Sequence, residues 1–208
     1  SRMDAITGIG ALIVSTTDRS LLLEEVVHWV ERELDVPAVS ILLLDERRRK
    51  LVFEVASGEK GQEVQAFTLE LGEGVAGTVA ATGQALIVDR AARDPRHQKY
   101  ISDALDFPVD TILCVPIALH GEVIGVIEAL NKRSGSFTPQ DTDLLTVIAQ
   151  QAALFLETAR LYSDLQRRVD EATAGLRLAN RDISSQKARL ETLLAELESG
   201  VIYTDNHD

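Results

Sequence analysis

One apolar column repeats every seven residues through the C-terminal part of the chain: Ile148, Phe155, Tyr162, Val169, Leu176, Ile183, Leu190 and Leu197. No polar residue interrupts it. The partner column is weaker: Leu144, Gln151, Thr158, Leu165, Ala172, Ala179, Gln186 and Leu193. A heptad of this length imposes a left-handed seam and predicts a coiled coil. Its start is marked by Thr138-Pro139-Gln140-Asp141, a capping hydroxyl, a proline at the first helical position and an acid in the first turn. Packing on the helix's own domain accounts for its first two or three turns. The rest is too long for that, because about 55 residues at ~1.5 Å each span ~80 Å. A second copy of the helix is the economical partner, so a parallel homodimer through residues 139–198 is expected. Ser199-Gly200 reads as the helix stop, with glycine free to take a left-handed cap. The following "VIYTD" reads as the first strand of another domain.

The earlier residues change period several times. Residues 4–35 read as two helical pieces. The second carries Leu22, Leu23, Val26, Val27, Val30 and Leu34 at helical spacing and can be capped by Thr17 or Asp18. "AVSILLLD" (38–45) and "LVFEVAS" (51–57) read as strands around the charged turn Arg47-Arg48-Arg49-Lys50, and "FTLEL" (67–71) as a third. Gly72 to Gly83 reads as a turn and a short helix, and "ALIVD" (85–89) as a short strand. Asp94-Pro95 predicts a helix over 94–105. "TILCVPIAL" (111–119) and "EVIGVIEAL" (122–130) are strands joined by His120-Gly121, hence an antiparallel pair.

Charge removes several function classes. Formal net charge is -12, so the surface repels phosphate backbones and anionic lipids, and neither a nucleic-acid nor a membrane partner is expected. Cys114 is the single cysteine and has no intramolecular disulfide partner, which suits a reducing compartment. No apolar stretch reaches membrane-spanning length and no signal-peptide pattern occurs. A cytoplasmic protein, or a cytoplasmic piece of a larger one, is the expectation.

Gly72, Gly74 and Gly77 spell G-x-G-x-x-G, with Asp89 downstream. A dinucleotide site needs a crossover helix and a parallel return strand. Only about two helical turns fit between Gly77 and Ala85, and an antiparallel hairpin follows. Glu73 also places a negative charge between the glycines. A tight turn and close helix-to-sheet packing explain the glycines better.

"LGEGVAGTVAATGQALIVDRAARDPRH" followed by "TILCVPIALHGEVIGVIEALNKRSGSFTPQDTDLLTVIAQQAA" resembles a GAF domain over about residues 4–160. The resemblance implies an α+β fold with a PAS-like antiparallel sheet, flanking helices and a ligand pocket under the short helices. The organisation expected is a GAF sensor domain at 4–138, a long signalling coiled coil at 139–199, and the start of a PAS-like domain at 200–208. "LETLLAELESGVIYTD" resembles the entrance to a PAS domain, a common neighbour in bacterial sensor kinases and cyclases. The implied function is a regulatory small-molecule sensor within a larger signalling protein such as a histidine kinase, with its output domain in the same polypeptide. A ligand-free dimerisation module and a cyclic-nucleotide-binding regulatory domain are the alternatives.

No catalytic constellation, metal site or cofactor is expected. His28, His97, His120 and His207 lack partners at ligand spacing, and Cys114 reads as an inert core thiol. His97 reads as a partly exposed helix residue. The resemblance implies a structural motif at Asn131, Lys132, Phe137 and Asp141, with Lys132 tied to Asp141 and Thr142 in place of the family's glutamate. It also places the ligand pocket at Ser40, Val75, Ala76, Asp103, Leu105, Val109 and Glu128. Leu105 and Val109 stand where two threonines grip the cyclic phosphate in phosphodiesterases. Asp103 and Glu128 accept hydrogen bonds and cannot neutralise an anion. A small neutral or cationic ligand with donor groups is therefore the expectation.

Overall fold

The long apolar runs become a six-stranded antiparallel sheet because both of its faces are covered. The computed structural model describes residues 19–45, 47, 49–97 and 99–204. In chain order the described elements are α1 (Arg19–Leu34), β1 (Ala38–Asp45), β2 (Lys50–Ala56), α2 (Gly61–Val64), β3 (Thr68–Glu70), α3 (Gly74–Thr82), β4 (Leu86–Asp89), a 3₁₀ turn (Ala91–Arg93), α4 (Lys99–Ala104), β5 (Thr111–Leu119), β6 (Glu122–Leu130) and α5 (Pro139–Thr204). The sheet order is β3-β2-β1-β6-β5-β4. The fold is α+β, a curled antiparallel sheet with a long C-terminal helix.

Alternation sorts the strand residues into two cores. Val39 and Ile41 of β1, Leu113, Val115 and Ile117 of β5, and Ile127 and Ala129 of β6 face one way. They meet the apolar stripe of α1 and Leu145, Ile148, Ala149 and Phe155 from the first turns of α5. Leu42, Phe53, Ile112, Cys114 and Val126 face the other way, against Val75, Ala76 and Val79 of α3. Each fully buried leucine or isoleucine here contributes roughly 1.5–3 kcal/mol. The first expected helical piece and the Thr17/Asp18 cap lie outside the described residues.

Turn chemistry fixes the register. His120 (φ 52°) and Gly121 (φ 89°) both adopt left-handed conformations, as a two-residue hairpin between right-twisted strands requires. The glycine-rich turn is equally constrained. Gly72 (φ 85°) donates its N–H to the Gly77 carbonyl at 2.9 Å, and a Cβ on Gly77 would collide with the Glu70 carbonyl oxygen. Glu73 points back, accepting the Glu70 N–H at 2.8 Å.

Two expectations are corrected and one element is added. The helix predicted from Asp94 starts at Lys99, because the Asp94 carboxylate accepts the Arg96 N–H (2.8 Å) and Arg96 guanidinium (2.7 Å) in a local turn that competes with capping. That hydrogen bonding from Arg96 holds the Asp94 carboxyl at about 2. The four-residue α2 was not anticipated, since it is too short to show a period. At the C-terminal end, α5 runs through Gly200 to Thr204, so residues 201–204 are helical and not strand. Glycine weakens a helix by about 1 kcal/mol without being obliged to end it.

Residues up to Ala159 form one compact unit and Arg160–Asp208 a second. Within the second, Leu165, Val169, Leu176, Ile183, Leu190 and Leu193 of α5 are exposed. Arg167 pairs with Glu171 (2.9 Å) one turn along the same helix.

Candidate ligand cavity

The lower core, the one against α3, does not fill the space between the sheet and its cover. A cavity of about 90 Å³ remains. Its floor is Ala38 and Ser40 of β1, Phe53 of β2, Ile112 of β5, and Glu128 and Leu130 of β6. One wall is Gly74, Val75 and Ala76 at the start of α3, with Leu69 of β3 beside it. Ser57, Lys60 and Val64 close the β2 end, and His97, Ile101, Ser102, Leu105, Phe107 and Val109 form the cover.

Ser40, Val75, Ala76, Leu105, Val109 and Glu128 thus line one cavity. Asp103 does not. It is exposed on α4, where Ile101 and Ser102 take the cavity-facing positions, with Leu105 just after the helix. The sequence reading also missed Lys60 and His97. Lys60 gives the lining a cation that had not been foreseen, although it already lies 4.0 Å from Glu63. His97 precedes α4 and does not belong to it, and its Nε2 lies 3.5 Å from Ser102 Oγ. Burial, then the nearby Lys99 charge, lowers its basicity against the opposing pull of Asp103 and Asp94. Lys60 left no periodic signal because it lies in an irregular connection.

Glu128 is the unusual group. It pairs across the sheet with Ser40 on β1 and with Cys114 on β5, so the three stand in one row on the lower face. Apolar residues occupy the neighbouring inward positions. Among the described residues no hydrogen bond or ion pair engages its carboxylate. Burial raises that carboxyl to about 7. Cys114 beside it is fully buried, and burial followed by the Glu128 charge pushes its thiol well up. It is a protonated core thiol. Among the described residues no cluster of His, Cys, Asp and Glu is arranged to hold a metal ion.

The motif after β6 fastens the cover and α5. Asn131 is left-handed (φ 58°), and its carboxamide accepts the Asp110 N–H (2.7 Å) and donates to the Pro108 carbonyl (2.8 Å). Lys132 donates to Asp141 and lies 5.8 Å from the centre of the buried Phe137 ring. Asp141 also accepts the Thr138 N–H at 2.8 Å. Partial burial alone would raise the Asp141 carboxyl, but Lys132 and the two Thr138 hydrogen bonds lower it.

This sheet, cover and strand-to-helix motif define a sensor-type α+β domain. The GAF domain family matches residues 16–157, and the chain belongs to that family of sensor and regulatory modules. A Caenorhabditis elegans relative, the probable 3',5'-cyclic phosphodiesterase pde-5, is 31% identical over 154 residues, covering 69% of this chain and 21% of the relative. The chain therefore spans about a fifth of that relative's length. Among solved structures, the GAF domain of an Acinetobacter phosphoenolpyruvate-protein phosphotransferase is 23% identical with a TM-score of 0.67, covering 78% of this chain and 97% of that one. The free methionine-R-sulfoxide reductase of Neisseria meningitidis, solved with its substrate, is 21% identical with a TM-score of 0.66, covering 77% and 91%. At these identities the two structures establish the fold alone. No described helix is long and apolar enough to cross a membrane.

Proposed function

We propose that this chain is the small-molecule-sensing part of a larger signalling protein, such as a bacterial sensor histidine kinase. In this reading the cavity binds the ligand, and α5 carries the result to an output domain in the same polypeptide through a parallel homodimer over residues 139–198. One observation carries it: an unpartnered carboxylate, Glu128, facing a mostly apolar cavity. A purely structural module has no use for an unpaired carboxylate there, since even half-burying it costs free energy that a leucine would not. The exposed heptad column of α5 supports the dimer. The adjacent anchors at Asn131 and Lys132 support coupling, because one holds the cover and the other the root of α5. A redox activity has less support, because the lone Cys114 is buried and protonated. The expected start of a PAS-like domain loses support from the helical state of residues 201–204.

The likeness to a cyclic phosphodiesterase favours a second reading, a cyclic-nucleotide-binding regulatory domain. The cavity's size weighs against it, since pockets for drug-sized ligands run about 300–1,000 Å³. Leu105 and Val109 also leave the cover without side-chain donors for a phosphate at those positions.

Thermal melting separates these readings. The low-molecular-mass fraction of a cell extract is expected to raise Tm, and Glu128→Ala to remove that rise. Stabilisation by cyclic GMP or cyclic AMP instead would establish the second reading.

A further inference from the structure

Glu128 lacks a countercharge, and the groups around the cavity do not supply one. On β1 it meets Ser40 and on β5 Cys114, neither of them cationic. The start of α3 offers Gly74, Val75 and Ala76, none of them charged. The ionisable groups elsewhere on the lining are Lys60 and His97, and Lys60 is already near Glu63. Neither bears on the Glu128 carboxyl, whose shift comes from burial alone. The space beside it is bounded by Val75, Ile101, Leu105, Val109, Ile112 and Leu130. At about 90 Å³ it is smaller than an engineered apolar cavity of ~150 Å³ that admits benzene.

We propose that the cavity takes a small aliphatic ammonium, on a body of about three carbons by that volume comparison, with Glu128 and the Ser40 hydroxyl accepting its N–H groups. This rests on the cavity being the ligand site. A charge-assisted hydrogen bond to the one unmatched carboxylate supplies what the protein leaves out. The ammonium can come from a simple amine or from an α-amino acid, and the recognising chemistry is the same.

Binding is linked to a proton. In the empty cavity Glu128 holds its proton up to about pH 7. When the ammonium enters, that proton leaves for solvent and the N–H groups bond the carboxylate. Affinity therefore rises about tenfold from roughly pH 6 to pH 8 and then levels off. Cys114, its thiol pushed well up by burial, stays protonated across this range. Burial lowers the basicity of His97 on the same lining.

The test uses the full chain and four probes of similar shape: isopropylamine, alanine, isopropanol and isobutyrate, titrated against the methyl resonances of the cavity. The amine or alanine is expected to bind at least tenfold more tightly than the alcohol and the acid. Glu128→Gln should lose both this preference and the pH dependence while melting no lower than the unmodified chain. Tighter binding of alanine than of isopropylamine points to an amino acid, and the reverse order to a simple amine. If the alcohol or the acid binds as tightly as the amine, the ammonium assignment is overturned and the cavity remains a ligand site. If none of the four binds, the assignment is overturned. If cell extract also fails to stabilise the protein, the sensor reading falls with it.

Discussion

Lys132 Nζ donates a hydrogen bond to Asp141 Oδ2 across the junction between β6 and α5, and both side chains are largely buried, 14% and 16% exposed. Removing one partner of a buried pair costs about 3–5 kcal/mol. The residual solvent contact reduces that to about 2 kcal/mol for Lys132→Met. The Asp141 carboxyl is held below its ordinary value, so the pair's stabilisation is complete above the usual carboxylate range and fades as pH falls through the lowered one. Urea unfolding of both proteins as a function of pH checks this. The two stability curves should converge in acid, and a constant gap would contradict it.

Glu128 has the opposite sign. Its carboxyl is raised from 4.5 to about 7 in the folded chain, so it costs nothing below about 4.5 and its full penalty above about 7. A shift of this size corresponds to about 3 kcal/mol. Glu128→Gln should therefore gain stability over the unmodified protein as pH rises through this window. Parallel denaturation curves would show that the carboxyl titrates normally.

Gly77 tests the reading of the glycine motif. A methyl group there meets the Glu70 carbonyl oxygen and the backbone of Gly72. Overpacking against backbone costs roughly 1–3 kcal/mol, so Gly77→Ala should lower Tm markedly. Gly175 lies in open space on α5, and its replacement by alanine should raise helix stability by about 1 kcal/mol.

Legibility in the sequence followed the strength of local pattern. β5 and β6 were readable to the residue because long apolar runs flank a His120-Gly121 turn whose backbone demands are strict. The pocket's floor and α3 wall came from the family resemblance, which named Ser40, Val75, Ala76 and Glu128 on regular elements that carry over position by position. The cover was not readable from pattern. Between Arg90 and Asp110 only a 3₁₀ turn and the six-residue α4 form, fixed by Asp94–Arg96 and by Asn131 from a distant strand end, so neither His97's inward position nor Asp103's outward one was encoded in a period. The helix end was misplaced because Gly200 permits a stop without compelling one.

The exposed column of α5 predicts self-association. Light scattering should give a dimer mass for the unmodified chain. Ile183→Asp with Leu190→Asp, both at exposed apolar positions, should give a monomer whose GAF unit melts as before. A monomeric unmodified chain at tens of micromolar would contradict the dimer.

Native mass spectrometry tests the central claim, that the cavity is a ligand site, most directly. The unmodified chain and Leu105→Trp, which fills the cavity from its cover, are each equilibrated with the low-molecular-mass fraction of a cell extract and sprayed under gentle conditions. The account predicts a stoichiometric small-molecule adduct on the unmodified chain that is absent from Leu105→Trp. The same adduct on both proteins, or none on either, would contradict it.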